Sequence, residues 1–350
     1  MKIDKFYTLF SVVLFIAAPS AILAGQLGAW TTINYLNIPR STNVAVLSRS
    51  TIIYTFGGYP YTATPTPVER ATIRPDGLLT PWAIESTQML SSRGIATGFA
   101  TDSYIYAIGG ENNTVNLYNV ERAPINPDGT LGQWTTILST PDTFSSSAGV
   151  KYQNFFYVIG GYTYDTILSY FIASSTIYRT TINADGSLSS WTLLTTHLNA
   201  ARIGHGIISI DTTIYIQGGA SVGNFYNNTV EYATVFPDGQ LSAFITSTSN
   251  PIAIHAGGGL FYDGQYLNVV GGYRGGDSDF REEHALIYPD GSLGSWIMGP
   301  YLQTERFQFG YVQTQTGAYV IGGNFDITEV EYAPILGVTG IERKDWEIFE

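Results

Sequence analysis

Cysteine is absent from the 350 residues, so neither disulfide staples nor thiol chemistry belong to this chain. A chain of this length buries enough core without staples, and the absence is compatible with export. Charge is scarce as well: Asp, Glu, Lys and Arg together make up 13% of the residues, with 28 acids against 16 bases. A net charge of -12 and a pI near 4.7 offer nothing to a polyanion, which excludes nucleic acid as the expected partner. The one long apolar run is Phe6 to Ala18, and it is short for a membrane span. With Lys2 and Lys5 before it and Ala21-Ile22-Leu23-Ala24 after it, residues 1–24 read as an export signal. A secreted, periplasmic or cell-surface location is therefore expected, with no membrane span in the mature chain. What the sequence has in plenty is tyrosine, at 25 copies. Tyrosine suits strands, and it suits surfaces that bind sugars or proteins, because a phenol offers a flat apolar face with a polar tip.

Six times an apolar β-type run ends in a glycine pair, as in Tyr104-Ile105-Tyr106-Ala107-Ile108-Gly109-Gly110 and Tyr319-Val320-Ile321-Gly322-Gly323. The first glycines stand at 57, 109, 160, 218, 271 and 322, in steps of 52, 51, 58, 53 and 51 residues. Short strands at a period of roughly 50 residues predict an all-β, six-bladed β-propeller of kelch type over residues 25–336, with 337–350 as a tail. Each repeat reads as a small-residue strand (a), the glycine-pair strand (b), a strand such as Val230-Glu231-Tyr232-Ala233 (c), and a strand led by a phrase such as Gly129-Thr130-Leu131-Gly132-Gln133-Trp134 (d). Turns such as Pro127-Asp128-Gly129 join c to d, with Pro presetting φ and Gly taking the positive φ. The sixth repeat lacks a d strand after Tyr332, and a spare copy of the phrase, Gly25-Gln26-Leu27-Gly28-Ala29-Trp30, opens the mature chain. The first strand is therefore expected to complete the last blade and remove two bare sheet edges.

The glycine pairs, the Trp strands and the closing N-terminal strand resemble the kelch and galactose-oxidase central-domain propellers over nearly the whole mature chain. Val230-Glu231-Tyr232-Ala233 and Pro289-Asp290-Gly291-Ser292-Leu293-Gly294-Ser295-Trp296 look like a bacterial secreted kelch-like repeat group. That resemblance specifies a fold and says little about activity, because propellers host enzymes, adhesins and scaffolds alike. Exported six-bladed kelch proteins that isomerise sialic acid are similar in size and signal, which implies a sugar-processing enzyme as the alternative function. Their acid–base residues find no match in this sequence. A copper radical oxidase of the galactose-oxidase type is disfavoured more strongly, since its cross-linked cofactor needs a cysteine and this chain has none.

Topology puts the d–a and b–c loops on one face and the a–b loops and Pro-Asp-Gly turns on the other. The d–a/b–c face varies from blade to blade, as a binding surface on a rigid scaffold does. Sixteen residues before each first glycine stand Ser41 (beside Arg40), Arg93, Phe144, Arg202, His255 and Arg306. These basic groups either tie blades together or ring the channel mouth, where a guanidinium fork would match carboxylates and sugar hydroxyls. The b–c loops add Tyr59, Tyr61, Tyr162, Tyr164, Tyr226, Tyr273 and Arg274. The ligand-binding set is thus expected to be Arg40, Arg93, Arg202, His255, Arg306, Tyr59, Tyr61, Tyr162, Tyr164, Tyr273 and Arg274. The ligand is expected to be a glycan or a protein, bound without catalysis. Gly275 to Glu283 is rich in oxygen donors but lacks the spacing of a calcium loop, and the four histidines share no ligand spacing. No metal or cofactor is expected. Deleting Gly25 to Tyr35 should lower the melting temperature sharply in a thermal unfolding scan; a deletion variant as stable as the parent would rule out closure by the first strand.

Overall fold

A computed structural model describes residues 26–59, 67–112, 115–165, 167, 169–221, 225–253, 255–324 and 327–337. The export signal, Tyr61 and nearly all of the C-terminal tail lie outside the described residues. Every regular element described is a strand, and no helix among them is long and apolar enough to cross a membrane. The strands form six antiparallel four-stranded blades, each ordered a–b–c–d from the axis outward. Blade 1, for example, runs Val44–Ser48, Ile52–Phe56, Glu69–Thr72 and Ala83–Ile84. The six a strands stand side by side in a closed ring, with Gly310–Gln313 of blade 6 next to Val44–Ser48 of blade 1.

The N-terminus closes that ring. Thr31–Tyr35 pairs antiparallel with Glu329–Leu336, Thr31 opposite Tyr332, and Gln26–Leu27 pairs further along the same strand. Trp30, fully buried, packs with Phe261 of blade 5 at 5.8 Å between ring centroids. The expected closure is therefore present, strand for strand.

The apolar core is divided into six, one cluster per seam between neighbouring blades. Strand b supplies most of it, because both of its faces are covered by other blades and all five residues of Ile52–Phe56 are buried. The glycine pairs sit where two blades meet. A Cβ on Gly57 would lie 2.6 Å from the Arg93 carbonyl of the next blade, and one on Gly322 would lie 2.6 Å from the Arg40 carbonyl. Both positions also hold φ of +66°, so a side chain is refused by contact and by backbone conformation alike. The second glycine then donates its amide across the seam, Gly58 to Arg93 at 2.9 Å and Gly323 to Arg40 at 2.9 Å.

A second tie crosses the seams on the turn side. The hydroxyls of Tyr54, Tyr106, Tyr157, Tyr215 and Tyr319 donate to the carbonyls of Gly129, Gly186, Gly239, Gly291 and Gly77, each in the Pro-Asp-Gly-type turn of the following blade, at 2.5–2.9 Å. Blade 5 carries Asn268 at this position, and the blade it faces is the one whose c–d connection is replaced by the meeting of the two chain ends. The tyrosine is thus missing where a turn to receive it is missing. Burial pushes the Tyr106 phenol up to about 12, so the lock keeps its proton throughout the physiological range. Tyr157→Phe, which strips one lock of its donor, should cost about 1 kcal/mol in urea unfolding; an unchanged unfolding midpoint would show that the hydroxyl contributes nothing to the seam.

Candidate functional site

At the start of each strand a, the expected basic residues do not face the channel. Arg40, Arg93, Arg202, His255 and Arg306 are 0–2% exposed and reach outward along their own blades to strand c. There Arg40 pairs with Glu69 (2.7 Å), Arg93 with Glu121, Arg202 with Glu231, His255 with Glu283 (3.3 Å) and Arg306 with Glu331 (2.5 Å). Each base also meets the carbonyl of its blade's first glycine, as Arg93 Nη1 does Gly109 at 2.8 Å and Arg306 Nη1 does Gly322 at 2.9 Å. Each glutamate accepts amides of the d–a loop, those of Asn37, Leu90, Asn199, Ile252 and Gln303 among them, at 2.6–2.7 Å. The result is a clamp that fastens the d–a loop, strand b and strand c of one blade. Burial pushes all four guanidinium groups down, and the paired glutamates oppose it. The positive ring expected from the spacing is therefore neutralised and sealed, and a ligand-binding role for these five residues has no exposed group to act through.

Blade 3 confirms the reading by exception. Phe144 stands in the place of the arginine and Tyr178 in that of the glutamate, and their rings pack at 5.2 Å between centroids. Both members of the ion pair have been exchanged together for apolar ones, the replacement that buried ion pairs tolerate best.

The b–c loops are hung on the d–a loops by short antiparallel bridges. Tyr59 bridges Ser41, Glu111 bridges Gly94, Ala220 bridges Ile203 and Tyr273 bridges Ala256, while the amides of Tyr162 and Asn324 donate to Ser145 and Phe307. The residue after each glycine pair thereby joins a rim with tyrosines from blades 1, 3 and 5, separated by Glu111, Ala220 and Asn324. Three of the expected tyrosines are brought together here. Blade 3 extends the rim with a ribbon, Tyr162–Asp165 paired with Tyr170–Ala173, in which Tyr164 is 48% exposed and packs on Phe171 at 5.3 Å. Across the mouth Tyr273 lies between Tyr226 (5.4 Å) and Phe307 (5.2 Å), and Tyr59 is 41% exposed. Arg274 is exposed beside Tyr273. Glu111, which sequence reasoning passed over, is half-buried near Tyr162. Burial pushes its carboxyl up, and its charge adds to burial in raising the Tyr162 phenol.

Inside the rim, Thr42, Ile95, Ser146, Gly204, Gly257 and Gln308 all hold left-handed backbone, with φ between 43° and 68°. The amides of Thr42, Ser146, Gly204, Gly257 and Gln308 donate to the carbonyl of the equivalent residue one blade back, at 2.6–2.9 Å. A hoop of five hydrogen bonds thus runs around the channel mouth, open between Ile95 and Thr42. The β-branched Ile95 is a strained member of it. Beside the hoop lies a cavity of 240 Å3. Tyr311 of blade 6 runs across the front of blade 5, over Gly259, and its hydroxyl donates to the Ile207 carbonyl of blade 4 at 3.0 Å. At the opposite end of the channel a wider cavity of 1080 Å3 is lined by a–b turns, with Asp102 and Lys151 among its residues.

His205 lines the mouth cavity and is 7% exposed. Burial, with the Arg202 charge added, pushes it down to about 3, against a loose contact with the Ile159 carbonyl. Between its ordinary 6.5 and about 3 the unfolded chain binds a proton that the folded chain refuses, so this residue makes the fold less stable as pH falls through that window. Three carboxylates of the oxygen-rich stretch in blade 5 are engaged, Asp279 with Arg281, Glu282 with His284 and Glu283 with His255. Among the described residues no group of three or more His, Asp or Glu could hold a metal ion.

Six four-stranded blades, glycine-pair seams and closure by the N-terminal strand define a six-bladed β-propeller of kelch type. The chain is similar in fold to a solved structure, that of YjhT, with a TM-score of 0.66 at 13% identity over 87% of this chain and 97% of that one. No family model matches the chain, and no curated relative does.

The clamps admit a double-mutant test in blade 4. Arg202→Phe and Glu231→Tyr should each cost about 3–5 kcal/mol by leaving a buried charge alone. The double variant, built after blade 3, should cost clearly less than their sum. Additive losses in chemical denaturation would show that the two residues do not act as a pair.

Proposed function

We propose that this propeller is an exported binding module that engages a glycan or a protein through its d–a/b–c face. The aromatic rim carries the proposal: phenol rings from alternate blades, some exposed, stand around a concave mouth above a rigid hydrogen-bonded hoop. Tyrosine at such a site offers stacking area at little cost in side-chain entropy and keeps a hydroxyl for polar contact. Exposed Arg274 and half-buried Glu111 add one fixed charge of each sign. Loops on a stiff scaffold provide a surface that varies without disturbing the six seams below.

A sugar-processing enzyme is the second reading, and Glu111 is the observation that favours it. A carboxyl held up by burial next to a raised phenol is the pairing from which acid–base chemistry is built.

Glycan-array and pull-down screens should be run with the wild type and a Tyr162→Ala, Tyr273→Ala double variant. Loss of at least tenfold in binding by the double variant is expected. Binding that survives it but is lost in Lys151→Ala would place the site on the opposite face and overturn the proposal. The same preparations, with Glu111→Gln added, go into an NMR assay of anomer exchange in sialic acid and in glucose; wild-type rates equal to buffer remove the enzyme reading.

A further inference from the structure

Blade 5 breaks the repeat at three neighbouring positions. Where the other blades bury Val68, Val120, Ile177, Val230 and Val330 on strand c, blade 5 buries Glu282. Two residues on, Arg70, Arg122, Arg179, Tyr232 and Tyr332 give way to His284. The residue paired with it on strand b, the lock tyrosine in the other five blades, is Asn268. In the other blades these side chains face the following blade, as Val120 does Phe156 and Val230 does Leu260. Blade 5 therefore turns a polar surface toward the seam where Leu27 and Trp30 of the N-terminal segment are packed.

These residues form one buried cluster with Asp263 of the a–b turn. Glu282, Asp263 and His284 are 0%, 2% and 3% exposed. His284 Nδ1 lies 2.9 Å from Glu282 Oε1, and Asn268 Nδ2 donates to Asp263 Oδ2 at 3.2 Å. Gly299, just past strand d, makes room: its amide donates to the Glu282 carbonyl, and a Cβ on it would overlap Glu282 Oε2. The same position holds Glu85, Leu194 and Ser247 in blades 1, 3 and 4. Blade 1 shows an acid at this spot with both oxygens in use, Glu85 taking Arg70 Nε at 2.6 Å and the amide of Leu131 in blade 2 at 2.8 Å. In blade 5, Glu282 Oε2 has no partner among the described residues, where nearly every buried polar atom should have one.

Little else can balance that carboxylate. Residues 26–30, strands Gly310–Gln313 and Gly317–Ile321 of blade 6 and strand Leu293–Met298 of blade 5 bring no charged side chain. Tyr311, which blade 6 turns toward blade 5, donates its hydroxyl to Ile207, and Tyr266 sets its ring edge against His284 at 5.1 Å. Nearby on strand c of either blade, Glu283 is held by His255, Asp279 by Arg281 and Glu331 by Arg306. We infer that the cluster is a proton-operated latch on the seam through which the ring closes: with a proton on His284 the N-terminal strand is held tightly, and loss of that proton as pH rises loosens it ahead of the other seams. The imidazolium balances Glu282 and Asp263; the neutral ring leaves a buried carboxylate, one oxygen bare, in an apolar seam. Burial pushes the carboxyls of Glu282 and Asp263 up. Burial alone would push His284 down, but the hydrogen bond and charge of Glu282, with the charge of Asp263, outweigh it and hold the imidazolium above its ordinary 6.5. A group raised in the folded state contributes stability that is complete below its unfolded value and is lost as pH climbs through the folded one. The window for His284 therefore lies above 6.5, with a slope opposite to that of His205.

The test follows hydrogen exchange of the full chain by mass spectrometry between pH 6 and 9, with rates corrected for their intrinsic pH dependence. Peptides covering residues 26–35 should open about tenfold more often at pH 9 than at pH 6, the factor that a shift of one pH unit in a single group carries. Thr135–Ser139, the matching strand of blade 2, should keep its protection. Histidine ring signals in NMR should show His284 losing its proton above pH 6.5. Glu282→Gln, which keeps the shape and removes the charge, should lower that midpoint and flatten the opening profile. The Glu282→Val, His284→Tyr double variant rebuilds the two positions after blade 4 and should give the same flat profile, with thermal melts confirming that it folds. A His284 midpoint at or below 6.5, equal loosening of both strands, or a pH profile unchanged in Glu282→Gln and in the double variant would overturn the inference.

Discussion

Neighbouring blades of this propeller meet at backbone distance, and that contact sets the terms for the rest of the molecule. Six glycines, the first of the pair at the end of each strand b, let the carbonyl of the next blade sit where a side chain would be, and the second of each pair lies as close to the d–a loop of its own blade. Once the backbones are this close, the side chains on either side of the seam have a fixed gap to fill, and six separate apolar clusters fill it. The hydroxyl locks of strand b work at the turn end of the same seams, and the glycine amides work at the mouth end. No seam is spare, because a ring with one seam open exposes the apolar faces of two blades; the first strand, by covering the bare edge of Glu329–Leu336, ties the two ends of the ring together.

The ion pairs have a different task. Each clamp lies within one blade, holding the incoming loop against strands b and c, so that the loop leaves the scaffold at a defined angle. Burying a guanidinium and a carboxylate together gains little in net stability over an apolar pair, as the Phe144–Tyr178 contact in blade 3 illustrates. Geometry is the better account of why five blades keep a charged clamp: a glutamate that accepts two loop amides fixes a backbone, which a ring contact does not. Blade 3, without the clamp, carries the longer of the two separate ribbons among the described residues.

Period, blade count, strand order and closure were all legible in the sequence, because glycine pairs, turn phrases and the Trp strand repeat at fixed offsets. The arginine positions were legible as positions and misread as chemistry. Their partners were in view in phrases such as Val230-Glu231-Tyr232-Ala233, and the joint exchange of Arg for Phe144 and Glu for Tyr178 in one repeat was the signal that would have paired them. Tyr59, Tyr162 and Tyr273 could be assigned to one face because all follow a glycine pair. Glu111 occupies the same offset and was missed by a search for aromatics. Tyr311 and His205 were beyond sequence reasoning: the first meets Ile207 across 104 residues, and the burial of the second depends on how two blades dock.

The hoop of left-handed residues carries an electrostatic meaning of its own. In a helix, peptide dipoles point the same way and add, so that the helix end draws ions. Here five successive links run head to tail around the mouth, so the components of their dipoles in the plane of the ring largely offset one another. The peptide groups tie blade to blade and are not aimed, as those of a helix end are, at a single point. The fixed charges that a solute meets at this face are those of rim side chains, Arg274 among them.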